Sequence, residues 1–236
     1  MKFTVKSTDL QKKLDNLHKI AKNKTTLHSL DYLLIDVTDD IIQFTASDLE
    51  VTQTSKVMPE EVSEVGSICV LADTFVETIK KLPDCLLTIS EQKNVIVVKS
   101  KSGTFKIPSM SAEDFPLTRE PNSENSISIS SFVLSSGINK TSFATAPDSD
   151  FEHFPARCGV FANFKTDNAS FAATDTRRIA VSRTTAVSPI DQSVLMSKKF
   201  SNAIVSVFGQ SETELAVCFD EKDIKVTRLN WSSDSS

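Results

Sequence analysis

The stretch FAATDTRRIAV, residues 171–181, holds the densest set of groups able to do chemistry in this chain. A carboxylate, Asp175, stands beside two guanidiniums, Arg177 and Arg178, between apolar runs, and His153 lies upstream. Such a set can act as a base beside an anion clamp, bind an anion without reaction, or form a charged turn between two strands. Catalysis needs a nucleophile, a paired acid and base, or a metal cluster, each with a sensible role. Asp175, Arg177, Arg178 and His153 are the one candidate cluster. Glycine is scarce, with 5 in the chain, and no GxxxxGK[ST] loop is present to cradle phosphates. Cys69, Cys85, Cys158 and Cys218 form no CxxC pair and read as buried, reduced thiols of a cytoplasmic protein. His18, His28 and His153 lack metal-ligand spacing. No cofactor, no metal and no enzymatic activity are expected.

Several elements must position that stretch. A chain of 236 residues, 39% apolar and 24% charged, suits one large or two modest soluble domains. No apolar run reaches the roughly 18 residues of a membrane span. The opening MKFTVKSTDLQKKL is alternating and charged, unlike a signal peptide. The net charge of −5 does not exclude a nucleic-acid partner, because a basic groove can sit within an acidic shell.

Four helices are predicted. The first opens STDLQKKLDNLHKIAK, with Thr8 and Gln11 at capping-box spacing and Leu10, Leu14, Leu17 and Ala21 on one face. The second, ADTFVETIKKLP, is capped by Asp73, buries Phe75, Val76, Ile79 and Leu82, and stops at Pro83. A third starts near Ser130 or Ser131 with Phe132, Leu134 and Ile138 inward. A fourth starts near Ser197 with Phe200, Ala203, Ile204, Val207 and Phe208 inward. Alternating β-branched and aromatic runs between them read as strands.

The order of elements recurs. IIQFTASDLEVTQTSKV aligns with NASFAATDTRRIAVSRTTAV, setting Asp48 against Asp175, and ICVLADTFVETI aligns with SVLMSKKFSNAI, setting Phe75 against Phe200. The offsets, 127 and 125 residues, nearly agree, so the chain is two copies of one α+β unit. The shared aspartate then reads as a turn element, since the Asp48 copy lacks the arginine pair. Residues 1–118 are expected as the first domain, 119–127 as a linker and 128–236 as the second.

The start MKFT, the stretches TASDLE, KLPD and SAEDFP, and ATD followed by arginine resemble the bacterial DNA polymerase III beta sliding clamp family over the whole chain. The resemblance implies tandem clamp domains, each with two helices lining a central hole and antiparallel sheets outside. Six such domains form a ring around duplex DNA. It implies a DNA replication processivity factor with no catalysis of its own, and as partners non-sequence-specific duplex DNA, the polymerase and other clamp-binding peptides, a clamp loader, and further copies in a ring. It assigns DNA contact to Lys24, Lys80, Lys198 and Lys199, with Lys12, Lys13, Lys19, Lys22, Lys81 and Lys140 nearby. Asp73 stands where the family commonly has arginine. One wall of a peptide cleft falls on Thr174, Thr176, Arg177, Arg178 and Ile179, with Arg157 beside it. The family usually has glycine then histidine at Thr176 and Arg177, and leucine near Arg157. The chain closes on KVTRLNWSSDSS, about where the family enters a third domain. A fragment, a two-domain clamp that closes as a trimer, and a clamp-fold interaction module that does not encircle DNA are the alternatives.

Overall fold

The protein is described from a computed structural model covering residues 1–21, 28–116, 119, 121, 126–185, 191–220 and 223–229. The chain divides into two compact units, Met1–Thr118 and Arg119–Ser236.

In the first unit, strand β1 (Lys2–Lys6) leads into helix α1 (Ser7–Ala21), then β2 (Tyr32–Val37), β3 (Ile42–Ser47), β4 (Thr52–Val57), β5 (Glu61–Glu64), β6 (Gly66–Leu71), helix α2 (Ala72–Lys81), β7 (Leu86–Gln92), β8 (Val95–Ser100) and β9 (Gly103–Ser111). The second unit repeats the plan: β10 (Ser126–Ser130), α3 (Ser131–Thr141), β11 (Gly159–Phe164), β12 (Asn168–Thr174), β13 (Ile179–Thr185), β14 (Gln192–Ser197), α4 (Lys198–Phe208), β15 (Glu214–Phe219) and β16 (Ile224–Arg228). The fold is α+β, with four helices on antiparallel sheets.

In the first unit β9 pairs with both β6 and β8, joining two half-sheets in the order β4-β3-β2-β6-β9-β8-β7-β1-β5. In the second, the described strands form two sheets, β13-β12-β11-β14 and β10-β15-β16.

Each core follows from the alternation of its strands and the apolar face of its helices. Leu10, Leu14, Leu17 and Ala21 of α1 and Phe75, Val76 and Ile79 of α2 are buried as their spacing predicts. In the second unit Phe171 and Ala173 of β12, Val160 and Ala162 of β11, and Met196 of β14 point inward against Leu134, Ile138 and Ile204 of the helices. Phe132 departs from expectation: it sits in the first turn of α3 but is 69% exposed. In α4 only Ser201 and Ile204 are fully buried, while Phe200 and Phe208 pack at the margin of the core.

The strand-to-helix junctions are one device used twice. Ser7 N–H donates to Cys85 O, its Oγ donates to Pro83 O at 2.8 Å, and Cys85 N–H donates back to Ser7 Oγ. Ser131 does the same with Thr213 O, Ser211 O at 2.8 Å and Thr213 N–H. Both serines are fully buried, so each hydroxyl satisfies backbone groups that water cannot reach.

This corrects the capping box expected at Thr8. Gln11 does not turn back to its own helix; its Nε2 donates to Ile79 O and Leu82 O and closes the end of α2. Asp73 is likewise no cap: α2 begins at Ala72 after Leu71 with no side-chain cap bond. The carboxylate instead meets His18 Nε2 of α1 at 2.5 Å. In both cases a partner on the neighbouring helix displaces the local capping bond.

Candidate functional site

Asp48 and Asp175 end β3 and β12 in matching turns. Asp48 Oδ1 accepts from the backbone N–H of Glu50 at 3.2 Å and Val51 at 2.9 Å. Asp175 Oδ1 accepts from the N–H groups of Arg177 and Arg178, both at 3.0 Å. The residue after each aspartate is left-handed, with φ 73° at Leu49 and 76° at Thr176. A non-glycine residue there is uncommon, and a β-branched one is strained. Asp175 Oδ2 also accepts from Arg178 Nε at 3.0 Å, and the carboxyl is held below the usual aspartate range, foremost by the Arg178 backbone N–H.

Three of the roughly four acceptor positions of this carboxylate are taken up within its own turn, and His153 is exposed and edge-on to Phe154. Among the described residues no group of three or more His, Cys, Asp or Glu side chains is arranged to hold a metal. Cys69 and Cys158 are buried, and Cys85 and Cys218 half-buried. Burial pushes the Cys69 thiol up to about 12, which makes it a poor nucleophile at neutral pH.

The residues around the Asp175 turn form an apolar and basic surface. Thr174 Oγ1 donates to Arg178 O at 2.8 Å and accepts from Thr176 N–H, fixing the loop. Ile179, first in β13, is 71% exposed, and Arg178 Cζ lies 5.7 Å from the ring centroid of the exposed Phe143. Arg157 sits in a separate 3-10 turn with its guanidinium carbon 3.6 Å from the Phe154 ring centroid, and its carbonyl accepts from Ala146 N–H. Thr174, Thr176, Arg177, Arg178 and Ile179 are therefore gathered on one loop and strand start. Phe143 joins them unpredicted by sequence spacing; its exposure in a 3-10 turn, not periodicity, reveals it.

The lysines expected at DNA are placed unevenly. Lys24 and Lys22 lie outside the described residues. Lys80 Nζ pairs with Asp15 Oδ1 of α1 at 2.7 Å, and Lys81 with Glu77 at 3.6 Å. Lys198 and Lys199 open α4 and are half-buried, behind the cap that Ser197 Oγ makes with Phe200 N–H at 3.1 Å. Lys140 is exposed near the end of α3. No described helix is long and apolar enough to cross a membrane.

These features agree with what the chain matches. Residues 1–119 match the family model for the N-terminal domain of the DNA polymerase III beta subunit. A beta sliding clamp from Vibrio harveyi is 34% identical over 145 residues, 61% of this chain and 100% of that relative. One from Bacillus subtilis is 28% identical over 241 residues, 96% of this chain and 60% of the relative. Among solved structures, the DNA polymerase III subunit beta of Pseudomonas aeruginosa superposes with a TM-score of 0.89 at 26% identity, over 96% of this chain and 62% of that one. That of Thermotoga maritima gives 0.85 at 25% identity, over 97% and 62%. The chain thus spans about 60% of the length of full-length relatives such as that of Bacillus subtilis. With the clamp fold, the repeated aspartate turn and the paired helices in place, the chain belongs to the DNA polymerase III beta subunit, or beta sliding clamp, family.

Proposed function

We propose that this chain works as a non-enzymatic DNA sliding clamp, a processivity factor whose role is topological. Two clamp domains, 1–118 and 128–236, joined through 119–127, build part of a ring that encloses duplex DNA. The observation that carries this reading is the duplicated unit itself. Each copy pairs two helices on one sheet layer, and a clamp needs that unit repeated around a hole. DNA is held through phosphate contacts that read no sequence, so the protein slides. Lys24, Lys198 and Lys199 supply those contacts, with Lys80 contributing less because Asp15 already neutralises it. Arg157, Thr174, Thr176, Arg177, Arg178 and Ile179 receive peptides of the polymerase and other partners. A separate ATP-driven loader opens the ring, since no phosphate-binding loop is present in the sequence.

Retention on DNA circles tests the reading. A clamp assembled with its loader stays on a closed circle through a salt wash and slides off once the circle is cut. Equal retention on circular and linear DNA would refute encirclement. One observation favours a second reading, an interaction module that does not encircle DNA: Asp73 of α2 and Asp15 of α1 place carboxylates against His18 and Lys80 respectively. Loss of the circle preference with peptide binding intact would select it.

A further inference from the structure

The two repeats provide an internal control for two strand edges of the second unit. In the first unit β9 closes the sheet: residues 103–108 pair with β8 and residues 109–111 with β6. The hairpin of β15 and β16 matches that of β7 and β8, because Ser131 bonds to Thr213 as Ser7 bonds to Cys85. The pair Ala216–Thr227 then falls on Thr88–Lys99, and Ile224 and Val226 stand where the first unit has Ile96 and Val98. Strands β14 and β6 both run straight into a helix, which sets Val194 and Leu195 against Ile68 and Cys69. Among the described residues no strand pairs with the second edge of β14 or of β16.

Matching positions differ in burial. Ile96, Val98 and Cys69 are 0% exposed, whereas Ile224, Val226 and Val194 are half-buried at the margin of the core and Leu195 is 39% exposed. The side chains are of the same apolar kind, so the difference lies in what covers them. In the first unit β9 does so, with Ile107, itself buried, opposite Ile96 and Phe105 opposite Val98. An edge strand also offers a row of N–H and C=O groups that an added strand can pair. Both sheets of the second unit rest on one core, so one extended segment can serve both edges as β9 does. In charge the second unit departs from the first. Lys106 of β9 lies opposite Val97, whose counterpart on β16 is Lys225, and Arg228 stands in place of Ser100. Opposite Lys225 a lysine meets like charge and a carboxylate meets opposite charge.

We propose that the free edges of β16 and β14 take an extended strand of a partner protein by β-addition, antiparallel to β16, in which two alternate apolar side chains cover Val226 and Ile224 and a carboxylate between them faces Lys225. Strand β14 lies at the opposite edge of its sheet from β13, so this surface is separate from the one assigned to clamp-binding peptides. It stands whether or not the chain encircles DNA.

Labelled peptides of the β9 sequence, GTFKIPSMS, test it on the whole chain by fluorescence anisotropy. One carries Lys106→Glu and the other keeps the lysine. The glutamate peptide is expected to bind at least about tenfold more tightly at low salt, with the gap narrowing as salt rises. In the protein, K225Q narrows that preference and K225E reverses it, and thermal midpoints near that of the parent certify folding. Methylating alternate backbone nitrogens of the glutamate peptide removes ladder donors and should weaken it at least about tenfold, a readout that needs no protein variant. Hydrogen exchange locates the complex: added protection is expected in Gln192–Ser197 and Ile224–Arg228 and not in Ile179–Thr185. No binding, equal affinity for the two peptides, indifference to methylation, or protection confined to Ile179–Thr185 each overturns the proposal.

Discussion

Phe171 lies so close to the bare backbone of Gly137 that a β-carbon built on the glycine would fall 2.2 Å from the ring. Helix α3 rests on β12 through this approach, and the ring is fully buried, edge-on to Phe164 at 6.1 Å. Alanine is the better helix former by about 1 kcal/mol, yet Gly137→Ala is expected to destabilise the second unit by roughly 1–3 kcal/mol net. A lower urea midpoint with an unchanged slope checks this. A stabilised variant would mean that α3 packs differently.

Thr176 bears a β-branched side chain at φ 76°. A left-handed conformation costs an L-residue about 1–2 kcal/mol that glycine does not incur, partly offset by glycine's freer unfolded chain. Thr176→Gly should therefore gain roughly 0.5–1 kcal/mol, and differential scanning calorimetry should place its midpoint a few degrees above the parent protein's.

Asp175 is held below its usual range by the turn N–H groups and Arg178. A carboxyl with a depressed folded pKa contributes stability that is present above its unfolded value and lost as pH falls through the folded one. Asp175→Asn should consequently be less stable than the parent at neutral pH, with the difference shrinking as acid protonates the parent's carboxyl. Parallel stability–pH curves would contradict the assignment.

The lysines proposed at DNA are tested by salt. Replacing both Lys198 and Lys199 with alanine should lower the slope of log affinity against log salt by about 0.9 for each phosphate that the variant leaves without its lysine. Lys80→Ala should change it less, because Asp15 lies 2.7 Å from that ammonium in the free protein. Equal effects at the two places would show that the ion pair opens on DNA.

Much of the architecture is legible in the sequence because it rests on short-range periodicity and on self-similarity. The apolar faces of α1 and α2, the alternation of β2 or β12, and the alignment of Asp48 with Asp175 need no coordinates. What escaped is what depends on a second element. Gln11 and Asp73 carry the residue types of local caps, but each bonds across to the facing helix, at Ile79 and Leu82 for Gln11 and at His18 for Asp73. Phe132 fits an inward spacing yet is exposed, although Ser131 beside it in the first turn of α3 is fully buried.

The same division holds for the site. By itself the sequence determined the duplicated α+β unit, the family, and the demotion of Asp175 from acid to turn residue, because a repeat whose first copy lacks the arginines tests any catalytic reading. Only the tertiary structure decided which faces those residues share. Strand register places Ile179 and Val181 outward between Arg177 and Arg183 and runs their apolar row on to Phe161 and Leu195. It also brings Asp15 to Lys80, across two helices far apart in the chain. Periodicity along one strand or helix carries no information about such pairings, which arise only when separate elements pack.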